Sequence, residues 1–158
     1  MIYSNACAYA IRALTRLAML RPDGYALLDD LCEDTDLPRH FVAKIFQDLV
    51  RKGLLKSAKG RGGGFALASP AKQITLYDIV GMIDGIESLD ACVVGLAKCD
   101  DEQPCPQHDQ WKPIRNELKK FLLSTTLDKM ANALSKKMDM IGQPKPKLTS
   151  KSKPLARG

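Results

Sequence analysis

Features that mark enzymes, membrane proteins and secreted scaffolds are scarce in this chain of 158 residues. It holds two histidines and one tryptophan. No nucleophile elbow occurs, no carboxylate pair stands apart from the acidic stretch described below, and no Cys-x-x-Cys is present, so the chain is expected not to be an enzyme, with a thiol-redox enzyme on Cys92, Cys99 and Cys105 as the less favoured alternative. No apolar run approaches the ~18 to 20 residues that cross a bilayer, and no basic segment leads an apolar one at Met1-Ile2-Tyr3-Ser4-Asn5-Ala6-Cys7. Neither export nor membrane insertion is expected. Five cysteines, an odd number, argue against a disulfide framework and suit the reducing cytoplasm, where metal binding or redox chemistry is the commoner use of a thiol.

The composition, 45% hydrophobic and 27% charged, is that of a globular chain. The length is that of one ordinary domain able to bury its own core. The net charge of +6 is unevenly spread. Five of the 24 basic residues (Lys145, Lys147, Lys151, Lys153 and Arg157) lie in the acid-free stretch 143–158, which leaves the rest nearly neutral against 18 acids. Within that body, residues 39–72 carry eight Lys or Arg against Asp48 alone, whereas residues 78–102 carry seven acids against Lys98. This polarity locates partners better than the overall charge does.

Hydrophobic periodicity places a first helix over 4–21, with Cys7, Ala10, Leu14 and Leu17 on one stripe and Arg12 and Arg16 off it. Pro22-Asp23-Gly24 ends it. A short second helix follows over 28–34, and a third over 38–52 has proline in its first turn and Gly53 just past its end. On the third helix, Phe41, Val42, Ile45, Leu49 and Val50 are expected to pack, leaving His40, Ala43, Lys44, Gln47 and Arg51 outward. Residues 54–57 and 65–68 read as strands joined by the basic, glycine-rich 58–64, a β-hairpin. Helix, short helix, turn, helix and basic hairpin is the order of a winged helix-turn-helix. A further helix is expected over 76–86, then a cysteine-bearing loop, an apolar-striped helix over 109–123 (Trp111, Ile114, Leu118, Phe121, Leu122), a shorter helix over 127–140, and a disordered basic tail. The expected class is mainly α with a small β-hairpin wing, divided into a DNA-binding domain (1–87), a cysteine-rich loop (88–108), dimerisation helices (109–140) and the tail (141–158).

Two constellations carry chemistry. A major groove accepts one helix whose side chains reach base edges while flanking cations neutralise phosphates. His40, Ala43, Lys44 and Gln47 are the base-facing candidates, and Arg39 and Arg51 stand beside them. Lys59 and Arg61, at the hairpin tip, suit a neighbouring minor groove, where glycines permit close approach. The plainer reading is a solvated helix face beside a flexible loop. A nucleotide-phosphate loop at residues 60–64 is disfavoured, because no Lys-Ser/Thr pair and no helix follow it. The second constellation is Cys92, Cys99, Cys105 and His108, spaced C-x6-C-x5-C-x2-H. Thiolates prefer soft metals, and this spacing is looser than structural zinc knuckles, which favours an iron-sulfur cluster over zinc or over bare surface thiols. Cys7 and Cys32 lie on or near apolar stripes and read as core residues, with Cys7 also available as a further ligand should one subunit's first helix reach the other's loop.

On Ala8-Tyr9-Ala10, the helix over 37–49, Gly60-Arg61-Gly62-Gly63-Gly64-Phe65 and the three-cysteine loop, residues 3–134 resemble the Rrf-two family of bacterial winged-helix regulators, including its iron-sulfur-cluster, nitric-oxide and iron-responsive branches. The resemblance implies a homodimeric repressor or activator of a double-stranded operator. Its two-iron cluster, with a four-iron one as the alternative, would be bound by Cys92, Cys99 and Cys105, and His108 stands where the cluster-regulator branch has its histidine ligand. Two positions depart from the pattern: the first cysteine gap holds six residues instead of five, and Ala8 stands where some nitric-oxide sensors supply an aspartate. Ordering of the loop, which precedes the helix expected to pair across the two-fold axis, would alter the separation of two recognition helices.

Overall fold

In the computed structural model, which describes residues 2–97, 99–148 and Leu155, the chain folds in the order α1 (Asn5–Leu20), α2 (Leu28–Cys32), α3 (Arg39–Arg51), β1 (Leu55–Ala58), β2 (Gly64–Leu67), a 3-10 turn (Ala71–Gln73), α4 (Leu76–Ile83), α5 (Glu87–Asp90), α6 (His108–Ser124) and α7 (Leu127–Met140). The architecture is mainly helical with one two-stranded antiparallel sheet.

Each boundary has a local cause. Ser4 caps α1 by accepting the Cys7 N–H, and Ser4 itself donates through both N–H and Oγ to the Asp84 carboxylate just past α4. Thr75 and Asp78 form a reciprocal capping box at the start of α4. Pro38 is the N-cap of α3, and Gly53, with φ +83°, ends it in the left-handed region. The second helix stops at Cys32, two residues short of the expected end, and Asp34 turns the chain at φ +54°. Helix α4 also stops early, at Ile83, because Gly85 takes φ +85°. The short α5 then occupies the start of a stretch that periodicity assigned to loop.

On α3 the buried residues are Val42, Phe46 and Leu49, a spacing of four and three; Ile45 and Val50 are half-buried against the core. Phe41, expected on the packing face, is instead 44% exposed and meets Tyr9 of α1 edge-on at 6.0 Å. Phe46, fully buried, takes the central place and stacks edge-to-face on Phe65 of β2 at 5.2 Å, which ties the hairpin to α3. The strands pair from Leu55 with Leu67 to Ala58 with Gly64, and an isolated bridge between Ala26 and Phe65 extends the hairpin. Gly64 must be glycine: it sits at φ +121°, and a Cβ there would lie 2.1 Å from the Ala26 carbonyl oxygen.

After α6 the chain turns back along residues 74–76, where the Leu76 N–H donates to the Thr125 carbonyl and the Leu127 N–H to that of Ile74, each at 2.9 Å. The return lays α7 on α1, burying Leu127, Ala131 and Met138 within the same chain. Helix α6 rests on α4 through fully buried Leu122 and half-buried Leu118. The expected α6 stripe is therefore divided: Leu118 and Leu122 face inward, whereas Ile114 (59%), Phe121 (50%) and the neighbouring Leu123 are exposed. Of the expected tail, residues 143–148 run without helix or strand, with Leu148 against the core; residues 149–154 and 156–158 lie outside the described residues.

Candidate DNA interface and cysteine site

Helices α2 and α3 pack on one another and on α1, with α3 leading directly into the wing. Arg39, His40, Lys44, Gln47 and Arg51 are exposed on α3. Ala43 is half-buried and packs on the core, so of the base-facing candidates it offers the least surface. The cations differ in availability. The Arg39 guanidinium is engaged by Asp29 at the start of α2, which holds that carboxyl below its usual range. Asp48 takes Arg51 at 3.1 Å and Lys52 at 2.8 Å, and those hydrogen bonds likewise depress its pKa. At the wing tip, Lys59 and Arg61 are exposed and make no ion pair among the described residues. The tip keeps its shape because the Gly63 N–H donates to the Gly60 carbonyl at 3.0 Å and a Cβ on Gly63 would meet the Ala58 carbonyl oxygen at 2.3 Å.

The cysteine site lies between α5 and the start of α6. Cys92, Cys105 and His108 are buried, at 6%, 8% and 4% exposure, and Cys99 is half-buried. Two contacts gather these groups. The Cys105 thiol donates a hydrogen bond to the Cys92 sulfur, and the Cys99 sulfur lies 3.4 Å from His108 Nδ1. Backbone N–H groups following Cys92, that of Val94 foremost, favour its thiolate and lower its pKa, whereas desolvation raises that of Cys105. His108 Nε2 lies 2.7 Å from an Asp101 oxygen, and Lys112 holds the same carboxylate at 2.7 Å. Because a carboxylate only accepts, Nε2 carries the proton, which leaves Nδ1 as the ring nitrogen turned to Cys99. A carboxylate partner that fixes the tautomer in this way is the usual support of a metal-binding histidine. The donor chemistry fits a soft, thiolate-held centre. Among the described residues, no three His, Cys, Asp or Glu groups stand close enough to hold a single metal ion.

The segment is fastened to α6 by side chains of that helix. The Trp111 indole N–H donates to the Ala91 carbonyl at 3.2 Å, Arg115 reaches the Asp90 carbonyl, and Lys119 pairs with the Asp90 carboxylate. Asp101 and Lys112 are further participants that sequence reasoning missed. Helical spacing supplied a signal for the cations alone, since Lys112, Arg115 and Lys119 recur at three and four residues along α6; nothing local pointed to Asp101 as the partner of Lys112. The remaining cysteines stand apart. Cys7 is fully buried in α1, where desolvation, and then the nearby Asp84, push its thiol up to about 12; burial also raises Cys32.

The fold and its exposed basic helix and wing define a winged helix-turn-helix protein. The chain belongs to the Rrf2 family, whose profile, described as an iron-dependent transcriptional regulator, matches residues 3–133. A putative helix-turn-helix transcriptional regulator of Aquifex aeolicus is 31% identical over 134 residues, covering 84% of this chain and 92% of the relative. The regulator IscR of Pectobacterium atrosepticum is 29% identical over 125 residues, covering 78% and 75%. Among solved structures, CymR of B. subtilis, a global cysteine regulator, superposes with a TM-score of 0.69 at 29% identity over 82% of this chain and 95% of that one. IscR of T. potens superposes at 0.67 and 22% identity, covering 85% and 88%, a likeness of fold. The chain is thus a transcriptional regulator of the Rrf2 family.

Proposed function

We propose that this regulator acts as a homodimer in the cytoplasm, reading a double-stranded operator with α3 and the wing, and that an iron-sulfur cluster on Cys92, Cys99, Cys105 and His108 sets its affinity for DNA. The single observation that supports the reading is that two donor pairs, Cys92 with Cys105 and Cys99 with His108, lie in one segment at the foot of α6. When bound, such a cluster supplies an oxidisable centre that nitric oxide, oxygen or iron shortage can alter.

The chain's own groups account for the rest. Asp101 and Lys112 fix His108, and Trp111, Arg115 and Lys119 hold residues 90–91 against α6. Loop order is therefore transmitted to the helix that carries Ile114 and Phe121. The ridge of Ile114 and Phe121 and the exposed Val93, Val94 and Leu96 of the loop offer apolar surface to a second copy. A change in how two α6 helices pair changes the distance between two α3 helices, which must match a groove repeat of ~34 Å. A two-iron cluster is favoured by the histidine in the ligand set. The zinc reading keeps the same ligands. Anaerobic purification with an optical spectrum and iron, sulfide and zinc assays decides: the cluster reading expects red-brown protein with matched iron and sulfide, lost in Cys92→Ala, Cys99→Ala and Cys105→Ala and kept in Cys32→Ala. Colourless protein with one zinc per chain would replace it.

A further inference from the structure

The seam between α1 and α7 encloses a cavity of about 370 Å³ to which neither the DNA-facing residues nor the cysteine site contributes. Its inner wall is apolar: Leu37 is buried, and Met130 and Leu134 are half-buried. Its charged groups are all cationic, Arg12, Arg16 and Lys137, beside the hydroxyls of Thr15 and Thr35, and no Asp or Glu lines it. These cations are unequally satisfied. Arg12 is paired with Asp36 outside the cavity. Arg16 spends one terminal N–H on the Glu33 carbonyl at 3.0 Å, while its Nε–H is buried and meets no acceptor. Lys137 has no ion-pair partner among the described residues.

A buried donor without an acceptor is costly, and Arg16, with one such donor, stands with the exposed, unpaired Lys137 over an apolar wall, an arrangement that suits an anion with a hydrophobic body. The chain itself does not supply it. Glu33 and Asp34 line an adjoining hollow that shares Arg16, and residues 143–147, which line that hollow too, bring Lys145 and Lys147 and no acid. At about 30 Å³ per heavy atom, the share of a molecule in liquid water, the cavity holds on the order of ten such atoms.

We propose that this cavity binds a small aliphatic monocarboxylate, its carboxylate between the Arg16 guanidinium and Lys137 and its chain on Leu37, Met130 and Leu134. The occupant touches Thr35 and Leu37, the link that aims α3, so this is a second input to the recognition helix, independent of the cysteine site. Neither cluster nor DNA is needed to test it, so its failure is distinct from a failure of cluster sensing.

The test is calorimetric titration of the full chain with octanoate, with 1-octanol, acetate and inorganic phosphate as comparisons. Saturable binding of one octanoate per chain is expected, with a rise in melting temperature. Arg16→Gln should weaken it about tenfold, as for loss of a hydrogen bond to a charged group. Lys137→Gln, at an exposed position that leaves folding intact, should weaken it as well, and Ala133→Trp, also exposed, should block it. Absence of octanoate binding overturns the proposal. Equal binding of octanol would make the cavity a merely apolar hollow, and equal binding of phosphate would make it a phosphate contact; either result overturns it too.

Discussion

Removal of the Arg61 guanidinium tests the wing most cleanly, because in the free protein that group has no intramolecular partner to release among the described residues. Each phosphate neutralised on duplex DNA contributes about 0.9 to the slope of log affinity against log salt. Two wings per dimer therefore lose about 1.8 in Arg61→Ala. Between 50 and 200 mM salt, a fourfold change, that difference amounts to about one logarithmic unit: the wild type should lose roughly tenfold more affinity than the variant over the range. If Arg61 also enters a minor groove, affinity at fixed salt falls by a further ~1–3 kcal/mol per contact. The assay is fluorescence anisotropy on one operator duplex across the salt series. Lys120→Ala serves as the control: it removes the same charge from α6, where Lys120 stands 3.8 Å from Glu117, and should leave the slope unchanged. An identical slope and affinity in Arg61→Ala would remove the wing from the interface, and Lys59→Ala would then be expected to be silent as well.

Three further outcomes follow from the packing. Phe121→Glu or Ile114→Glu places a charge on the exposed ridge of α6 and should convert a dimer to monomer in light scattering, a loss of at least ~2 kcal/mol in association; an unshifted mass would move the dimer face elsewhere. Gly64→Ala should lower stability well beyond the ~1–3 kcal/mol of an unfavourable backbone conformation, because its Cβ also meets the Ala26 carbonyl, whereas Gly53→Ala, with nothing within 4 Å, should cost only the conformational part. Urea melts of both compare them, and equal losses would refute the contact. Cys7, with its thiol raised to about 12 by burial, should resist iodoacetamide in folded protein at pH 8 while becoming labelled in urea, as mass spectrometry of the alkylated peptides would reveal. Fast labelling of Cys7 without denaturant would contradict its place in the core.

The element order was legible because its signals are local: Pro38 and Gly53 bracket α3, and the α1 stripe of Cys7, Ala10, Leu14 and Leu17 is buried as periodicity requires. Phe41 and Phe46 show where that legibility stops. Both are aromatic residues on one helix, and their fates depend on what stands opposite, Tyr9 for one and Phe65 for the other, which no local pattern records. The same holds for α6 and α7. Each carries an apolar stripe suited to a partner, but α7 spends its stripe on α1, and α6 keeps only an edge of its own exposed. At the cysteine site, residue type and spacing indicated four donors. The network that orients one of them, Asp101 with Lys112 on His108, arises from a fold-back between loop and helix and was visible only in three dimensions.

The central claim is that the state of the cysteine site governs affinity for DNA. The direct measurement is anaerobic anisotropy of cluster-loaded and cluster-free protein on duplexes that the protein itself has selected from a random pool, at fixed salt. At least one class of duplex should be bound with an affinity differing tenfold or more between the two forms, and Cys92→Ala should behave as the cluster-free form. Equal affinities on every selected duplex would contradict the account.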